Sequence, residues 1–354
     1  MPSLDLTAPS VELTRQLVDQ ESVSGNEGAI ADAVESALRN LSHLEVLRDG
    51  DAVVARTRLG RDRRVVIAGH LDTVPVNDNL PARLENGVLW GRGTVDMKGG
   101  CAVMLALAAS ISDSPVDVTW VFYDHEEVDS SLNGLGRIAR THPELLAADF
   151  AILCEPTGGE VEGGCNGTLR AELRTRGRRA HSARAWMGEN AIHALAPVLT
   201  ALATYQPESI EVDGLIYRES LNAVGISGGV ASNVIPDEGV VTINYRFAPS
   251  RDAAQAEAVV RTLFPDFAIE ITDLAEGARP GLDAPLARAF VTAVGGEAKP
   301  KYGWTDVARF AALGIPAVNY GPGDPSLAHA DDERVPVEQI ERCERGLRAW
   351  LSGS

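Results

Sequence analysis

Short apolar runs rich in β-branched residues alternate with helical patterns along much of the chain, and this alternation constrains the fold most. Residues 64–68, 116–123 and 150–153 are predicted to form buried strands. A helix is predicted over residues 97–112, between the first two strands. Strands that alternate with helices at this spacing favour an α/β sheet covered by helices on both faces.

The pattern changes over residues 168–277. The expected order there is strand, helix, strand, strand, helix, strand, over residues 169–175, 188–205, 221–226, 240–247, 252–263 and 267–272. This order is that of a ferredoxin-like module. Helical patterns over 285–294 and 338–351 then resume the first arrangement. We therefore predict one domain of residues 1–167 and 278–354, interrupted by an inserted α+β domain of residues 168–277.

Charge and composition exclude several classes of partner. The 354 residues carry 32 Lys and Arg against 50 Asp and Glu, a formal net charge of −18. Such a surface repels nucleic acid and anionic membranes, so neither is an expected partner. The sequence contains no run of about 18 apolar residues, so no membrane span is predicted. Its first residues lack the pattern of a secretory signal. Four cysteines without CxxC spacing favour a reducing, cytoplasmic location.

Five potential metal ligands follow predicted strands or lie in adjoining turns. They are His70, Asp96, Glu127, Glu155 and His329. Sites in open α/β sheets form outside the carboxyl ends of the strands. Each residue alone would more often be structural or solvated, so the prediction depends on the combination. Imidazole nitrogens and carboxylate oxygens are ligands that zinc accepts.

Asp72 follows His70 by two residues. A carboxylate at this spacing can accept a hydrogen bond from the ring N–H of a metal-bound histidine. Such a bond fixes the tautomer and the orientation of the ring. Asp72 is therefore predicted to support His70 rather than to bind metal itself.

Five segments resemble the motifs of the M20 metallopeptidase family and occur in the family's order. They are residues 69–75 (GHLDTVP), 91–100 (GRGTVDMKGG), 124–127 (DHEE), 154–157 (CEPT) and 327–333 (LAHADDE). The pattern of the inserted domain also resembles that family's lid and dimerisation domain. The resemblance implies a zinc-peptidase-like catalytic domain, with a mixed sheet between helices, and a ferredoxin-like lid.

The resemblance further implies two zinc ions per subunit. Asp96 would bridge the two ions, with His70 and Glu155 completing one site and Glu127 and His329 the other. Cobalt or manganese could occupy one position, because the ligand types do not exclude them. Two neighbouring metal ions can activate a water and polarise a carbonyl group. The resemblance also implies a cis peptide bond between Asp96 and Met97.

Two residues are expected to act on the substrate directly. Glu126 resembles the family's general base, with a second ligand or a solvated acid as the alternatives. His181 resembles the lid histidine that reaches the active site of the other subunit and can stabilise an oxyanion. That role implies a homodimer, whereas a surface histidine in a basic stretch is the alternative.

Several residues resemble substrate contacts of the family. They are Asn233, Arg246 and Thr305. A guanidinium can bind a carboxylate through two parallel hydrogen bonds, which suits Arg246. Asn166 stands where some members carry an arginine, so the carboxylate of the acyl group could instead contact Arg184.

The implied substrate is a small dicarboxylate amide. Residues 217–221 and 301–306 resemble the members that remove a succinyl group from a diamino acid. Members that remove an acetyl group, carboxypeptidases and aminoacylases share every catalytic residue named above, so these alternatives stay open. A non-catalytic binding module would have lost a ligand or the base, and all six residues are present.

Overall fold

The secondary structure is given by a computed structural model, which describes residues 3–353. Its strands, numbered in chain order, are β1 (Glu45–Asp49), β2 (Ala52–Arg56), β3 (Arg64–His70), β4 (Arg83–Glu85), β5 (Val88–Trp90), β6 (Asp117–Tyr123), β7 (Phe150–Leu153), β8 (Glu162–Gly163), β9 (Gly167–Arg176), β10 (Ser209–Val212), β11 (Leu215–Arg218), β12 (Ser220–Gly228), β13 (Glu238–Phe247), β14 (Ala268–Ala275), β15 (Lys299–Pro300), β16 (Ala317–Asn319) and β17 (Arg334–Pro336).

The helices complete this description. The α-helices are α1 (Ser10–Val18), α2 (Gly28–Arg39), α3 (Lys98–Ser110), α4 (Gly134–Thr141), α5 (Pro143–Leu146), α6 (Ala196–Thr204), α7 (Ala253–Leu263), α8 (Pro285–Val294), α9 (Val307–Ala312) and α10 (Val337–Leu351). Short 3-10 helices span Ser182–Met187, His193–Leu195 and Pro325–Leu327.

Two compact units divide the chain. The first comprises Met1–Gly163, Pro280–Lys299 and Thr305–Ser354, and the second comprises Gly164–Arg279 and Pro300–Trp304. The predicted boundaries at residues 168 and 278 differ from these by a few residues. In addition, the short segment before Thr305 groups with the second unit, although it was predicted to belong to the first.

The first unit is built around a mixed sheet in the order β1-β2-β6-β3-β7-β16-β8-β15. Neighbouring strands β6, β3, β7 and β16 are parallel, whereas β1, β2 and β8 pair antiparallel with their neighbours. The α/β prediction with a mixed sheet is confirmed. Because the four parallel strands run the same way, their carboxyl ends meet at one edge of the sheet.

Both faces of this sheet are buried. Val65 and Ile67 of β3 join the main core with residues of α1, α2, α3, α8 and α10. Val66 and Ala68 point to the opposite face and are also fully buried, and α4 and α9 contact the strands of the sheet. Burial on both faces explains why these strands read as continuous apolar runs rather than as alternating patterns.

Helix α3 lies unusually close to the sheet because glycines stand at the points of contact. A Cβ on Gly69 of β3 would lie 2.7 Å from Cε of Met97 and 3.0 Å from Sγ of Cys101. A Cβ on Gly100 of α3 would overlap the carbonyl oxygen of Cys154, which follows β7. The start of α3 is thereby fixed against the ends of β3 and β7.

The second unit has a four-stranded sheet in the order β12-β13-β9-β14, and every neighbouring pair is antiparallel. This is the strand order of a ferredoxin-like module. One sheet face packs on α6 and α7, with Leu173, Ile243, Val198 and Val260 in the core. The hairpin of β10 and β11 is an addition that the sequence pattern did not predict.

One predicted helix was too long. Residues 188–205 were expected to form a single helix, but Gly188 is extended (φ −110°, ψ 174°) and the α-helix begins only at Ala196. Proline 197 in the first turn explains the late start, because proline suits a helix N-terminus and not its interior. The part of the predicted range before Ala196 contains the short 3-10 helix His193–Leu195.

Two expectations from composition can be compared with the structure. None of the helices within residues 3–353 has the length and apolarity needed to cross a bilayer. Cys101, Cys154, Cys165 and Cys343 are all buried and free of disulfide bonds.

Replacing Gly100 with alanine tests the close approach of α3. Alanine favours a helix over glycine by about 1 kcal/mol, but forcing a methyl group against a backbone carbonyl costs about 1–3 kcal/mol. Because a backbone carbonyl cannot move aside as a side chain can, the cost lies towards the upper end of that range, and we expect urea unfolding to show a net loss of about 2 kcal/mol for Gly100→Ala. Gly303→Ala is the matched control, because its Cβ would meet no atom within 4 Å. Equal stability of the two variants would contradict this account.

Candidate metal centre

The predicted ligands converge on the carboxyl edge of the parallel strands. His70 is the last residue of β3, Glu127 lies in the turn after β6, and Glu155 follows β7. Asp96 lies directly before α3, and its peptide bond to Met97 is cis, as the resemblance implied. His329 follows the 3-10 helix Pro325–Leu327 beyond β16.

Asp96 lies between two histidines. Its Oδ1 is 3.1 Å from Nε2 of His70, and its Oδ2 is 3.4 Å from Nε2 of His329. Nε2 of His329 is also 3.0 Å from Oε1 of Glu127. Ligand atoms of His70, Asp96 and Glu127 all lie within 4.8 Å of one another. Imidazole and carboxylate donors at these separations fit divalent metal ions, with Asp96 able to serve two of them.

Glu155 belongs to the same edge of the sheet. Its side chain is buried, and it follows the strand that pairs with β3. It is not part of the group formed by His70, Asp96 and Glu127, whose ligand atoms all lie within 4.8 Å of one another. Its charge reaches the centre nonetheless, because it contributes to the raised pKa values of Glu126 and Tyr123.

Protons balance the negative charge of the centre when metal is absent. Hydrogen bonds to Asp96 and Glu127 raise the pKa of His329 to about 10. Burial opposes the charged form of His70, but the carboxylates of Asp72 and Asp96 outweigh it and raise its pKa. Burial likewise opposes the ionised form of Asp96, and the two histidines overcome it, so its pKa is lowered.

Asp72 organises the turn that carries Glu126 and Glu127. Its Oδ1 accepts the backbone N–H of Glu126 at 3.0 Å, and its Oδ2 accepts that of Glu127 at 3.1 Å. Ser24 donates its hydroxyl to Oδ2 at 2.6 Å. Nδ1 of His70 lies 2.9 Å from the carbonyl oxygen of Asp72 and 3.4 Å from its carboxylate. Asp72 therefore supports His70 through its main chain as well as through its side chain.

Glu126 is a part-buried carboxyl group in an acidic environment. Burial raises its pKa well above the usual value, and the charges of Asp306, Glu155 and Glu127 raise it further. His70 acts in the opposite direction. A carboxylate with an increased proton affinity is well suited to accept a proton from water.

Arg92 and Glu333 support Asp96, although no role was predicted for either residue from the sequence. Glu333 accepts the backbone N–H groups of Val95 and Asp96 through Oε1, at 2.9 and 3.1 Å. Its Oε2 is 2.9 Å from Nη1 of Arg92, and both side chains are almost completely buried. The sequence did offer a signal for this pair, because Arg92 and Glu333 carry opposite charges and each lies inside one of the segments that resemble family motifs. Removing one partner of a buried pair typically costs about 3–5 kcal/mol.

The remaining predicted contacts lie mostly in the second unit. His181 and Arg184 are exposed, and Nδ1 of His181 accepts the N–H of Ala183 at 3.1 Å. The segments of His181 and Asn233 are adjacent, because Ser182 donates its N–H to the carbonyl of Asn233 at 2.8 Å. Nε of Arg246 donates to Oδ1 of Asn244 at 3.0 Å.

Thr305 lies in the first unit. It is buried, and its hydroxyl donates to Oδ1 of Asn319, at the end of β16, at 2.9 Å. The neighbouring residue, Asp306, accepts a hydrogen bond from Nδ2 of Asn133 at 2.9 Å. The segment that contains Thr305 is thus fixed to the carboxyl edge of the sheet.

Comparison with known proteins extends over both units. A family model described as peptidase family M20/M25/M40 matches residues 66–352. The putative succinyl-diaminopimelate desuccinylase DapE of Mycobacterium tuberculosis is 58% identical over 353 residues, covering 99% of this chain and 100% of the relative. The succinyl-diaminopimelate desuccinylase of Corynebacterium glutamicum is 50% identical over 364 residues, covering 99% and 98%.

A solved structure shares the fold. A dinuclear metal-binding M20 peptidase from Bacillus subtilis superimposes with a TM-score of 0.71 at 16% identity, covering 97% of this chain and 96% of that one. At this level of identity the match concerns the fold alone.

Metal binding is expected to release protons. Because the pKa of His329 is about 10 without metal, its imidazolium persists at neutral pH and an incoming ion must displace a proton. We expect the affinity of the metal-free protein for Zn²⁺ to rise with pH between about 6.5 and 10. Calorimetry in buffers of different ionisation enthalpy measures the protons released.

His329→Gln should release fewer protons than the unaltered protein. His142→Gln is the control, because the ring of that exposed histidine pairs with Glu144 at 3.4 Å and is not one of the proposed ligands. Zinc uptake that releases no protons at neutral pH would contradict the account of the charge balance.

Proposed function

The chain belongs to peptidase family M20/M25/M40, and on that premise we propose that it hydrolyses the amide bond of N-succinyl-LL-2,6-diaminopimelate. The products would be succinate and LL-2,6-diaminopimelate, in lysine synthesis by the diaminopimelate pathway. Similarity to two desuccinylases over nearly the whole chain is the observation that carries this substrate. A cytoplasmic location is proposed with it.

Two zinc ions per subunit are proposed as cofactors, with cobalt or manganese acceptable at one position. His70 and Glu155 would hold one ion, Glu127 and His329 the other, and Asp96 both. This division is supported by the distances to Asp96, because His70 lies next to its Oδ1 and His329 next to its Oδ2. When bound, the ions would lower the pKa of a water and polarise the carbonyl of the amide.

Glu126 is proposed to move the proton. It would take a proton from the water as the water oxygen attacks the amide carbon, and deliver that proton to the nitrogen as the C–N bond breaks. Its raised pKa and its position beside Glu127 support this role. Asp72 would keep both glutamates in place through their backbone N–H groups. His181 would donate to the oxyanion that forms on the carbonyl oxygen.

Arg246 is proposed to bind a substrate carboxylate. Arg170 and Arg174, on the same face of the sheet, already lie within 4.0 Å of acidic side chains. Within residues 3–353, no carboxylate lies that close to Arg246, whose Nε donates to the side-chain amide of Asn244. A part-buried guanidinium without a carboxylate partner is available to an anionic ligand. Asn233, Thr305 and Arg184 are proposed as further contacts.

A homodimer is proposed through the second unit. Strand β12 lies at the edge of its sheet and exposes Val224 and Ile226 at 60% and 57%. Ile192 and Leu199 are also exposed apolar residues of the same unit. An uncovered edge strand with apolar side chains favours pairing with another strand. A second copy that pairs along β12 would cover this edge by two-fold symmetry.

Comparison of substrates tests the function directly. We expect zinc-loaded protein to cleave N-succinyl-LL-diaminopimelate with a catalytic efficiency far above that for N-acetylornithine. Preference for the acetylated substrate, or for dipeptides, would overturn the substrate while leaving the metal chemistry in place. Arg246→Met should lower the efficiency by about 10–100-fold through loss of a charge-assisted hydrogen bond. Arg170→Met, on the same sheet face, is the control.

Complementation tests the proton carrier, the dimer and His181 together. Glu126→Gln and His181→Ala should each lower turnover by at least about 10²-fold while both metals stay bound. The two variants are then mixed in equal amounts and allowed to exchange subunits. If His181 acts in the partner's site, each mixed dimer of Glu126→Gln with His181→Ala regains one intact site of its two. Because about half of the dimers are mixed, the mixture should reach about one quarter of full activity. The double variant Glu126→Gln/His181→Ala mixed with Glu126→Gln should not recover. No recovery in the first mixture would place His181 in its own subunit's site.

A further inference from the structure

Glu27 is a fully buried carboxylate directly before α2. Its Oε1 accepts the backbone N–H of Gly25 at 3.0 Å and that of His125 at 3.1 Å. Nδ1 of His125 lies 3.4 Å from the same oxygen. Among the described residues, no lysine or arginine lies within 4.0 Å of Glu27, so the backbone N–H groups are its main partners.

The turn that Glu27 holds is the one that carries Glu126 and Glu127. His125 has a left-handed backbone conformation, with φ of 58°, which residues other than glycine rarely adopt. Three consecutive N–H groups of this turn are bound by two carboxylates. Glu27 binds that of His125, and Asp72 binds those of Glu126 and Glu127.

The first residue of this turn, Asp124, is fixed as well. Asp124 receives two hydrogen bonds from Arg137, at 3.0 and 2.7 Å, and its carbonyl accepts the N–H of Gly134 at 2.8 Å. Nδ1 of His125 lies 2.7 Å from Oδ2 of Asp124. The unusual conformation of His125 is therefore maintained from both sides.

Glu27 also connects this turn to the end of β3. The loop before Glu27 is bound there, because Ser22 donates its hydroxyl to the carbonyl of Leu71 at 2.7 Å and Ser24 donates to Asp72 at 2.6 Å. The N–H of Ser24 reaches the carbonyl of Thr73 at 3.1 Å. Glu27 thus joins the loop that is bound beside His70 to the turn that follows β6.

We propose that Glu27 is a positioning residue, which holds the 124–127 turn in the conformation that directs Glu126 at the reacting water and Glu127 at its metal. Glu27 touches neither substrate nor metal and acts through the N–H of His125. The inference rests on the proposed function, because the orientation of Glu126 affects the rate only if Glu126 takes the proton from the water. Displacement of a catalytic group by about 1 Å can reduce a rate about 10²-fold.

Removal and conservative replacement of the carboxylate separate positioning from general stability. Glu27→Ala loses the oxygen that accepts the N–H of His125, and we expect kcat to fall about 10–100-fold with KM within about twofold and both metals retained. Glu27→Gln keeps an oxygen acceptor of the same reach, and it should restore kcat to within a few-fold. If Glu27→Ala fails to fold, Glu27→Asp, whose acceptor is retracted by one methylene, should show an intermediate kcat.

Hydrogen exchange in the metal-free protein gives a readout that does not depend on activity. The peptide that contains residues 124–127 should exchange faster in Glu27→Ala than in the unaltered protein, and Glu27→Gln should protect it. If the unaltered protein fails to cleave the succinyl substrate, the proposed function fails while this measurement still tests Glu27.

Asp117→Ala is the matched control. Asp117 is also buried and accepts the backbone N–H groups of Leu59 and Arg61, but it lies at the opposite end of β6. This variant should lose thermal stability and keep its kcat. An unchanged kcat in Glu27→Ala, unchanged exchange of the turn, or a Glu27→Gln variant as impaired as Glu27→Ala would each overturn the proposal.

Discussion

The carboxylate of Asp96, placed between His70 and His329, is the interaction on which the rest of the site depends. Its two oxygens face different imidazoles, so a single side chain links residues that are 259 positions apart in sequence. That placement requires the start of α3 to lie against the ends of β3 and β7, which glycines at the contacts allow. The helix, the sheet and the loop of His329 therefore share one geometric requirement.

Backbone N–H groups bound by buried carboxylates maintain this geometry. Glu333 holds the main chain at Asp96, Asp72 holds it at Glu126 and Glu127, and Glu27 holds it at His125. A bond to the main chain fixes where a side chain begins, so the ligands need fewer contacts of their own. Support of this kind is what keeps a functional site within a fraction of an ångström of its productive geometry.

The sequence was most informative where function leaves a local pattern. The buried strands β3, β6 and β7, the ferredoxin-like order of the second unit and the closeness of His70, Glu127 and Asp96 could be predicted, because each lies in a periodic run or a compact motif. Glu27 and Glu333 were missed because their partners are 98 and 237 or more positions away. The helix over 188–205 was wrong because hydrophobic periodicity outweighed the signal of Pro197. A local sequence pattern contains no information on hydrogen bonds between distant residues, and a single helix-breaking residue changes it little.

The order of the strands has a consequence for synthesis of the protein on the ribosome. Strand β16 pairs with β7, and the loop after it supplies His329, yet both lie beyond the segment that forms most of the second unit. The second unit is almost continuous in sequence, so its sheet can form while the chain is still being made. The central sheet of the first unit must wait for residues near 320 to leave the exit tunnel. The nascent protein thus lacks one of its candidate metal ligands, His329, until synthesis is nearly finished.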